Sequence, residues 1–548
     1  MPAVLLANEA ALVTAGATPH PRRLDVDCEL ECDWAAFNCE EKPACKTCAS
    51  CGDEPVAAAA GPEPVAAASG PVAATKPPVT EYAPPVWEPP PDDDVETLLL
   101  HADKVRHPES AIRQSTPVGN SAHANPFANG GHYYTPVSYR ESVGRTLGHK
   151  ASEAADDHTR AVLEALSAAP VAVWVDRKSK IRGAAGTNTM QGALTAASRM
   201  EAPRPLVVFV LYNLPNRDCD AKASDGEICC ARQRADGDGD GEATGGCDYL
   251  GGGLCEAGLQ EYAREFIDEA AALLKAFESR VPIALIIEPD SLPNLVTNTA
   301  HANCGSRATA SAYEQGIVYA VNQIRLNAPR VTLYLDAGHG GWMGWREHAQ
   351  HFGELIDRLG IAPSLRGFAT NIANYRGVGT ACPSAAFAQP LHEYCGCVTT
   401  EDDPPQELPC TSHEPCCRDP CGMLSQYSDG NNELNYVAML RQELKRTVHT
   451  DFHFIIDTSR DGVDDMRSDC NAWCNVRGAG LGLWPTSDTA LPEIVDAYYF
   501  VKTPGESDGC SDPSCARCVT LGVSAGSCPP VADDCVPSLQ VRRSVRER

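Results

Sequence analysis

The residues best suited to chemistry follow a short apolar run in the middle of the chain. The run from Val281 to Ile287 ends at Glu288-Pro289-Asp290. A continuous apolar run predicts a strand buried on both faces, and Pro289 ends it because proline cannot donate to a sheet ladder. Asp290 then lies where partial desolvation raises a carboxyl pKa, which suits the group to donate a proton. The alternative is that Asp290 only caps the following helix.

Six other apolar runs also end at polar residues. They span residues 171–175, 206–212, 331–335, 365–369, 452–456 and 495–501. Segments with helical spacing of apolar residues lie between them, at 155–168, 187–200, 258–278, 309–326, 347–359 and 433–447. Alternating strands and helices predict a seven-stranded parallel α/β barrel, whose functional residues gather at the carboxyl ends of the strands.

Composition restricts the function classes. The chain has 548 residues and a net charge of −28, which argues against a nucleic-acid-binding surface. It contains no apolar run of 18 residues, so we expect no membrane span. Its 26 cysteines favour disulfides and an extracellular location, although residues 1–27 make a weak signal segment because Glu9 interrupts the apolar run. The rival interpretation is a set of zinc sites in a reducing compartment.

The domain organisation follows from shifts in composition. Residues 1–27 form an N-terminal segment, and residues 28–53 form a small module with six cysteines. Residues 54–124 form a linker and approach segment, Pro/Ala-rich up to about residue 95. The globular part spans residues 125–548. The aromatic residues of the small module, Trp34 and Phe37, suit either a sugar surface or its own core.

Two insertions interrupt the predicted barrel. The first, residues 227–255, contains an acidic run from Asp236 to Gly241, which resembles the start of a calcium loop. Cys247 stands where such a loop needs a bidentate Glu, so a solvated acidic loop is the alternative and no metal site is predicted. The second, residues 376–430, has seven cysteines and is expected to be a disulfide-linked surface excursion.

Seven motifs along the chain resemble glycoside hydrolase family 6, in the order that family has them. They are YNLPNRDC at 212–219, IEPDSLPNLVTN at 287–298, YLDAGH at 334–339, GWMGW at 341–345, TNIANY at 370–375, WCN at 473–475 and KTPGESDG at 502–509. The resemblance covers roughly residues 125–535. It implies a distorted seven-stranded barrel that hydrolyses β-1,4-glucan with inversion, without a cofactor.

Inversion needs one carboxyl group to protonate the leaving oxygen and another to activate water. The resemblance implies that Asp290 is the acid, that Asp218 raises its pKa and helps to relay a proton, and that Asp508 is the proposed base. Arg217 and Arg460 are expected to pair with these carboxylates.

The resemblance also implies the residues that bind sugar. They are Tyr212, Ser224, Asp336, His339, Trp342, Trp473, Lys502 and Glu506. It pairs Cys219 with Cys304, and it pairs Cys474 with Cys528, with Cys518 and Cys535 as alternatives.

The function expected from these features is a secreted, monomeric cellobiohydrolase that acts on cellulose chains. The resemblance implies chain-end action, because the loops after the second and seventh strands roof a tunnel in exo-acting members of the family and both loops are long in this sequence. One alternative is an endoglucanase of the same family. Another is a glucan-binding or wall-associated protein with little turnover, and a third is the zinc-loaded intracellular protein.

Overall fold

Seven parallel strands form the main sheet in the computed structural model, which describes residues 124–152, 157–220, 224, 226–234, 243–251, 253–397, 410–463, 476, 478–506 and 508. The strands of this sheet are β1 (Val173–Val175), β2 (Val207–Leu211), β5 (Ile283–Ile287), β6 (Thr332–Asp336), β7 (Gly367–Thr370), β8 (His453–Asp457) and β9 (Val495–Tyr499). A separate antiparallel pair, β3 (Arg232–Arg234) and β4 (Ala243–Cys247), lies in the first insertion.

Helices connect the strands and pack outside the sheet. The structure assigns α1 (Val137–Ser152), α2 (Asp157–Ser167), α3 (Met190–Ser198), α4 (Glu256–Glu261, continued by a π-helical turn Tyr262–Ile267 and by Asp268–Phe277), α5 (Leu292–Thr297), α6 (Arg307–Asn327), α7 (Gly340–Met343), α8 (Arg346–Leu359), α9 (Leu391–Tyr394) and α10 (Glu433–Thr447). Short 3-10 turns cover Lys178–Lys180, Ala362–Ser364, Ser384–Ala388 and Pro415–Cys417.

The sheet is curled into a distorted barrel. Its order is β1-β2-β5-β6-β7-β8-β9, and every pairing is parallel. A single parallel bridge between Val171 and Phe500 joins the two edges of the sheet, next to β1 and β9. The seven predicted strands and the predicted barrel are therefore confirmed, and all seven strands present their carboxyl ends on one side.

Both faces of the sheet are buried. Along β2, Val207 and Phe209 belong to the core shared with the helices, whereas Val208 and Val210 belong to the core inside the barrel. Because alternate residues of β2 enter the two cores, the whole strand is apolar in the sequence.

Polar and aromatic residues fill the barrel away from the strand exits. Phe127, from the segment before α1, packs against Tyr334 and Tyr499 with ring centroids 6.4 and 5.5 Å apart. Arg366 and Asp496 form a buried ion pair at 2.6 Å, and the hydroxyl of Tyr334 also donates to Asp496. This end of the barrel is fully packed, which leaves the strand exits as the place for a site.

The six predicted helices are confirmed as α2, α3, α4, α6, α8 and α10, with ends that differ by a few residues. The sequence did not predict α1, α5, α7 or α9. The N-terminal segment, the cysteine-rich module, the linker up to residue 123 and the acidic run 236–241 lie outside the described residues. Among the residues that the structure describes, none of the helices has the length and hydropathy to cross a membrane.

Candidate active site

Asp290 lies at the rim of the barrel, directly after β5. Its backbone N–H donates to Oδ2 of Asp336 at 3.0 Å, and its carbonyl accepts from the amide of Asn294 on α5. The N-cap position of α5 is Ser291, so the alternative in which Asp290 only caps that helix is not what the structure has.

The surroundings of Asp290 favour its protonated form. Burial and, to a smaller extent, the negative charges of Asp508 and Asp220 together raise the pKa of Asp290 to about 6. A carboxyl group with this pKa still carries its proton at mildly acidic pH, where it can act as a general acid.

Asp336 is the carboxyl group nearest to Asp290 in the hydrogen-bond network. Burial raises its pKa well above the ordinary value, and the charge of Asp290 adds to the effect. Backbone N–H groups of Asp290 and Gly338 donate to it and oppose the shift. Ionisation of Asp290 therefore makes ionisation of Asp336 less favourable, as is usual for two carboxyl groups placed close together.

Asp218 lies in the loop after β2 and is only 8% exposed. Burial raises the pKa of both Tyr212 and Tyr313, and the charges of Asp218 and Asp290 raise both further. Since the two carboxylates act on the same two phenols, the structure brings Asp218 and Asp290 to one site.

Tyr313, on α6, was not predicted. Its hydroxyl donates to the carbonyl of Asn216 at 2.8 Å and accepts from the backbone N–H of Cys219 at 3.2 Å. It therefore fixes the loop on both sides of Asp218. Sequence alone gave no signal for this role, because Tyr313 also fits the apolar face of its helix.

Tyr212 packs between two side chains at the exit of β2. The guanidinium of Arg217 lies 4.2 Å from the centre of its ring, and Trp174 meets it edge-on at 5.6 Å. Arg217 donates to the carbonyls of Asp176, Tyr212 and Ser224. Ser224 is thus tied to Arg217 through its backbone carbonyl.

Asp508 lies on the other side of the barrel mouth. Its Oδ2 forms an ion pair with Nη1 of Arg460 at 2.7 Å, and Nζ of Lys502 lies 4.0 Å from Oδ1. The Arg460 guanidinium also stacks over the ring of Tyr375 at 4.3 Å. The expected pairing of Arg460 with a site carboxylate is therefore present.

Lys502, which is largely buried, links this cluster to the exposed Glu506. Nζ of Lys502 lies 3.3 Å from Oε2 of Glu506 and 5.6 Å from the ring centre of Trp174. The Glu506 side chain is 57% exposed, so its carboxylate is open to a ligand.

His339 and Trp342 are neighbours on the turn that enters α7. Nε2 of His339 lies 3.0 Å from the amide nitrogen of Asn374, and the His339 ring is centred 6.1 Å from that of Trp342. Trp342 is half-buried, with its indole N–H donated to Thr297 at 2.7 Å. The indole is thus held at its polar edge, which leaves ring surface for an apolar contact.

Glu288 and Asp457 hold the loops that carry the site, a role that the sequence analysis missed. Glu288 accepts from the backbone N–H groups of Asn213 and Leu214 and from the hydroxyl of Tyr262. Asp457 accepts from four backbone N–H groups, those of Ala373, Ser459, Val501 and Lys502. The feature of the sequence that could have identified these two residues is a carboxyl group placed at the end of a predicted strand.

Several exit residues have left-handed backbone conformations. Asn216, Asp218, Glu288, Asp290, Asn371 and Ala373 all have φ between 50° and 61°. Such conformations cost of order 1–3 kcal/mol each in a non-glycine residue and cluster at functional sites. Their grouping at one end of the barrel marks the same place as the carboxyl groups.

Disulfides fix the surrounding loops. Cys219 pairs with Cys304 as expected, Cys229 with Cys247 and Cys230 with Cys255. In the second insertion Cys382 pairs with Cys416, Cys395 with Cys417 and Cys397 with Cys410. These twelve cysteines form six disulfides, so their sulfurs are not available as zinc ligands, and for them the zinc-site hypothesis is wrong. Trp473, Cys474 and Cys528 lie outside the described residues.

A parallel barrel with several carboxyl groups gathered over its strand exits is the architecture of a barrel enzyme that works by acid–base chemistry. The chain belongs to glycosyl hydrolases family 6, whose model matches residues 128–236, 247–394 and 413–533.

Two fungal proteins are similar to the chain in sequence. The chain is 36% identical over 312 residues to the 1,4-beta-D-glucan cellobiohydrolase CEL6C of Podospora anserina, which is 56% of this chain and 62% of the relative. It is 33% identical to exoglucanase 3 of Agaricus bisporus, over 64% of this chain and 62% of the relative. The chain thus spans somewhat less than two thirds of these two relatives.

A solved structure agrees with the family. The fold matches cellobiohydrolase II (Cel6A) from Humicola insolens in complex with glucose and cellotetraose. The TM-score is 0.54 at 26% identity, and the match covers 76% of this chain and 94% of that one.

Proposed function

We propose that the protein is a secreted inverting glycoside hydrolase that cleaves β-1,4-glucosidic bonds in cellulose and releases cellobiose from chain ends. The observation that carries the proposal is Asp290, a carboxyl group with a pKa of about 6 at a strand exit, surrounded by other carboxyl groups. Glycoside hydrolysis needs such an acid to protonate the leaving oxygen.

Asp290 is the residue that donates this proton. Asp218 acts through its charge, which reaches the same two tyrosines as that of Asp290 and keeps a negative field over the developing oxocarbenium ion. Asp508 orients and activates the attacking water. Its ion pair with Arg460 fixes the direction of its carboxylate, and Tyr375 donates to it at 3.4 Å.

The glucan chain lies across the barrel mouth. Trp342 provides a flat surface for the apolar face of a glucose ring, and Trp473 is proposed for the same role at another subsite. Lys502, Glu506 and His339 hydrogen-bond sugar hydroxyls. Tyr212 contacts the distorted sugar at the cleavage point, Ser224 holds the attacking water, and Asp336 positions the acid through its bond to the Asp290 backbone.

Action at chain ends is supported by the long loops that follow β2 and β9 and by the names of the relatives, which are cellobiohydrolases or an exoglucanase. The six disulfides among the described residues suit an oxidising compartment, which supports secretion. We propose that the enzyme acts as a monomer.

The test is the anomeric form and length of the first products from cellohexaose, followed by ¹H NMR with correctly oxidised protein. Early release of α-cellobiose is the expected result, because inversion at a β-linkage yields the α-anomer. A mixture of α-anomeric products of several lengths would mean that the enzyme cleaves within the chain rather than at its end. β-anomers, or binding without cleavage, would overturn the proposed reaction.

A further inference from the structure

A histidine–carboxylate pair lies just outside the barrel mouth and has no part in the reaction proposed above. Nδ1 of His301 contacts Oδ1 of Asp220, and their side chains are 62% and 40% exposed. Asp220 directly follows Cys219, and His301 precedes Cys304 by three residues. The disulfide between these cysteines, with Cα atoms 5.1 Å apart, therefore holds the pair together.

Two asparagines connect this pair to Asp290: Asn294 on α5 and Asn298 at the C-cap position of that helix. The amide of Asn298 donates to Asn294 Oδ1 at 2.6 Å and to Asp220 Oδ2 at 3.4 Å. The amide of Asn294 in turn donates to the carbonyl of Asp290. A continuous series of hydrogen bonds therefore connects the backbone of Asp290 to the Asp220 carboxylate through the two asparagines. The contact between Asp220 and His301 extends the series by one residue.

The charge of Asp220 reaches Asp290. After burial and the charge of Asp508, it is the third cause that raises the pKa of Asp290. Other ionisable groups on the neighbouring elements also interact electrostatically with Asp290. They are Asp336 at the end of β6, Asp508 after β9, Asp218 and Tyr212 after β2, and Tyr313 on α6. Asp220 differs from the other carboxyl groups in being exposed and in contacting an imidazole.

We propose that Asp220 and His301 are positioning residues that together set the highest pH at which Asp290 still holds its proton. The inference rests on the proposed function, with Asp290 as the acid. When the His301 imidazole is protonated, its positive charge lies against the Asp220 carboxylate and offsets the field of that carboxylate at Asp290.

The two side chains must act in opposite directions. A negative charge at position 220 raises the pKa of Asp290, so its removal moves the basic limb of the pH–rate profile to lower pH. A positive charge at position 301 opposes the carboxylate, so its removal moves the basic limb to higher pH. Each shift should be about 0.3 to 0.6 pH unit, the size of a Coulomb interaction across roughly 5 to 10 Å in a largely aqueous medium.

The experiment is the pH profile of kcat/KM on cellohexaose at low ionic strength for the wild type, Asp220→Asn, His301→Gln and the double variant. We expect opposite shifts for the single variants and a profile near that of the wild type for the double variant. The matched control is Asp451→Asn. Asp451 has a similar exposure (45%) and forms an ion pair with Arg441, but it precedes β8 and therefore lies at the opposite end of the barrel from Asp290. It should leave the profile unchanged.

A second substrate separates an effect on the acid from a change in the fold. With 2,4-dinitrophenyl β-cellotrioside, whose leaving group needs little protonation, the shifts should disappear. Loss of cleavage in the wild type would refute the proposed function itself. Normal release of α-cellobiose with unshifted limbs, or with limbs that move in the same direction in both single variants, would overturn only the role of the pair.

Discussion

At the scale of the residue, replacing Asp290 by Asn should remove the proposed general acid and leave the site intact. Asp290 has φ of 57°, a conformation that Asn tolerates, and its backbone N–H rather than its side chain holds Asp336. We expect kcat on cellohexaose to fall by about 10² to 10⁴, the usual contribution of a general acid.

Two measurements check that the loss is chemical. Cellotetraose should bind to Asp290→Asn with near-wild-type affinity in calorimetry, and a dinitrophenyl glycoside should retain much of its turnover. If cellohexaose is still cleaved at the wild-type rate, the proton must come from another group.

At this scale the sequence could locate a carboxyl group in the fold where the group lies at the end of a strand or in the loop that follows it. Asp290, Asp336 and Asp218 follow apolar runs, so the topology alone gathers them at one end of the barrel. Residues that reach the site from helices, such as Tyr313, were missed because their spacing also fits a buried helix face. Pairings within the site, such as Arg460 with Asp508, rested on the family resemblance.

At the scale of the element, Glu288 joins the exit of β5 to the exit of β2. Because burial raises its pKa from 4.5 to about 7, Glu288 is neutral in the folded state over a range where it is ionised in the unfolded state. Its contribution to stability is therefore fully present below about pH 4.5 and is lost as the pH rises to about 7.

Glu288→Gln should abolish this pH dependence. The free energy of unfolding of the wild type should fall by about 3 kcal/mol more than that of the variant between pH 4.5 and pH 7. Denaturant titrations at both pH values measure the difference, and Glu354→Gln on the exposed face of α8 is the control. Parallel pH dependence in the wild type and Glu288→Gln would show that Glu288 does not titrate with folding.

The buried strands of the main sheet could be predicted from the sequence, whereas several short or less buried elements could not. The strands of the main sheet are largely buried on both faces, so their sequences are short and mostly apolar, with polar residues such as Asp496 only where a buried partner is present. By contrast, α5 and α7 have six and four residues, too few for a periodic pattern. The hairpin of β3 and β4 was missed because β4 contains adjacent glycines and neither strand has an alternating apolar pattern.

At the scale of the whole molecule, disulfides tie the site loops to the barrel. The bond between Cys219 and Cys304 spans 85 residues and holds the loop after β2, with Asp218, against the segment after α5. The bond between Cys397 and Cys410 spans 13 residues within the second insertion. The two bonds therefore differ in both the length of chain they close and the part of the molecule they constrain.

Replacing each pair of cysteines by serine should separate these effects. By loop-closure entropy, removing Cys219–Cys304 should lower the free energy of unfolding by about 4.5 kcal/mol, and removing Cys397–Cys410 by about 3 kcal/mol. Only the first replacement should also reduce turnover of cellohexaose, because only that bond holds the loop next to Asp290. Chemical denaturation and initial rates, measured on the same preparations below their unfolding temperatures, give both quantities. Equal losses of turnover in the two variants would mean that the Cys219–Cys304 bond stabilises the fold without positioning the site.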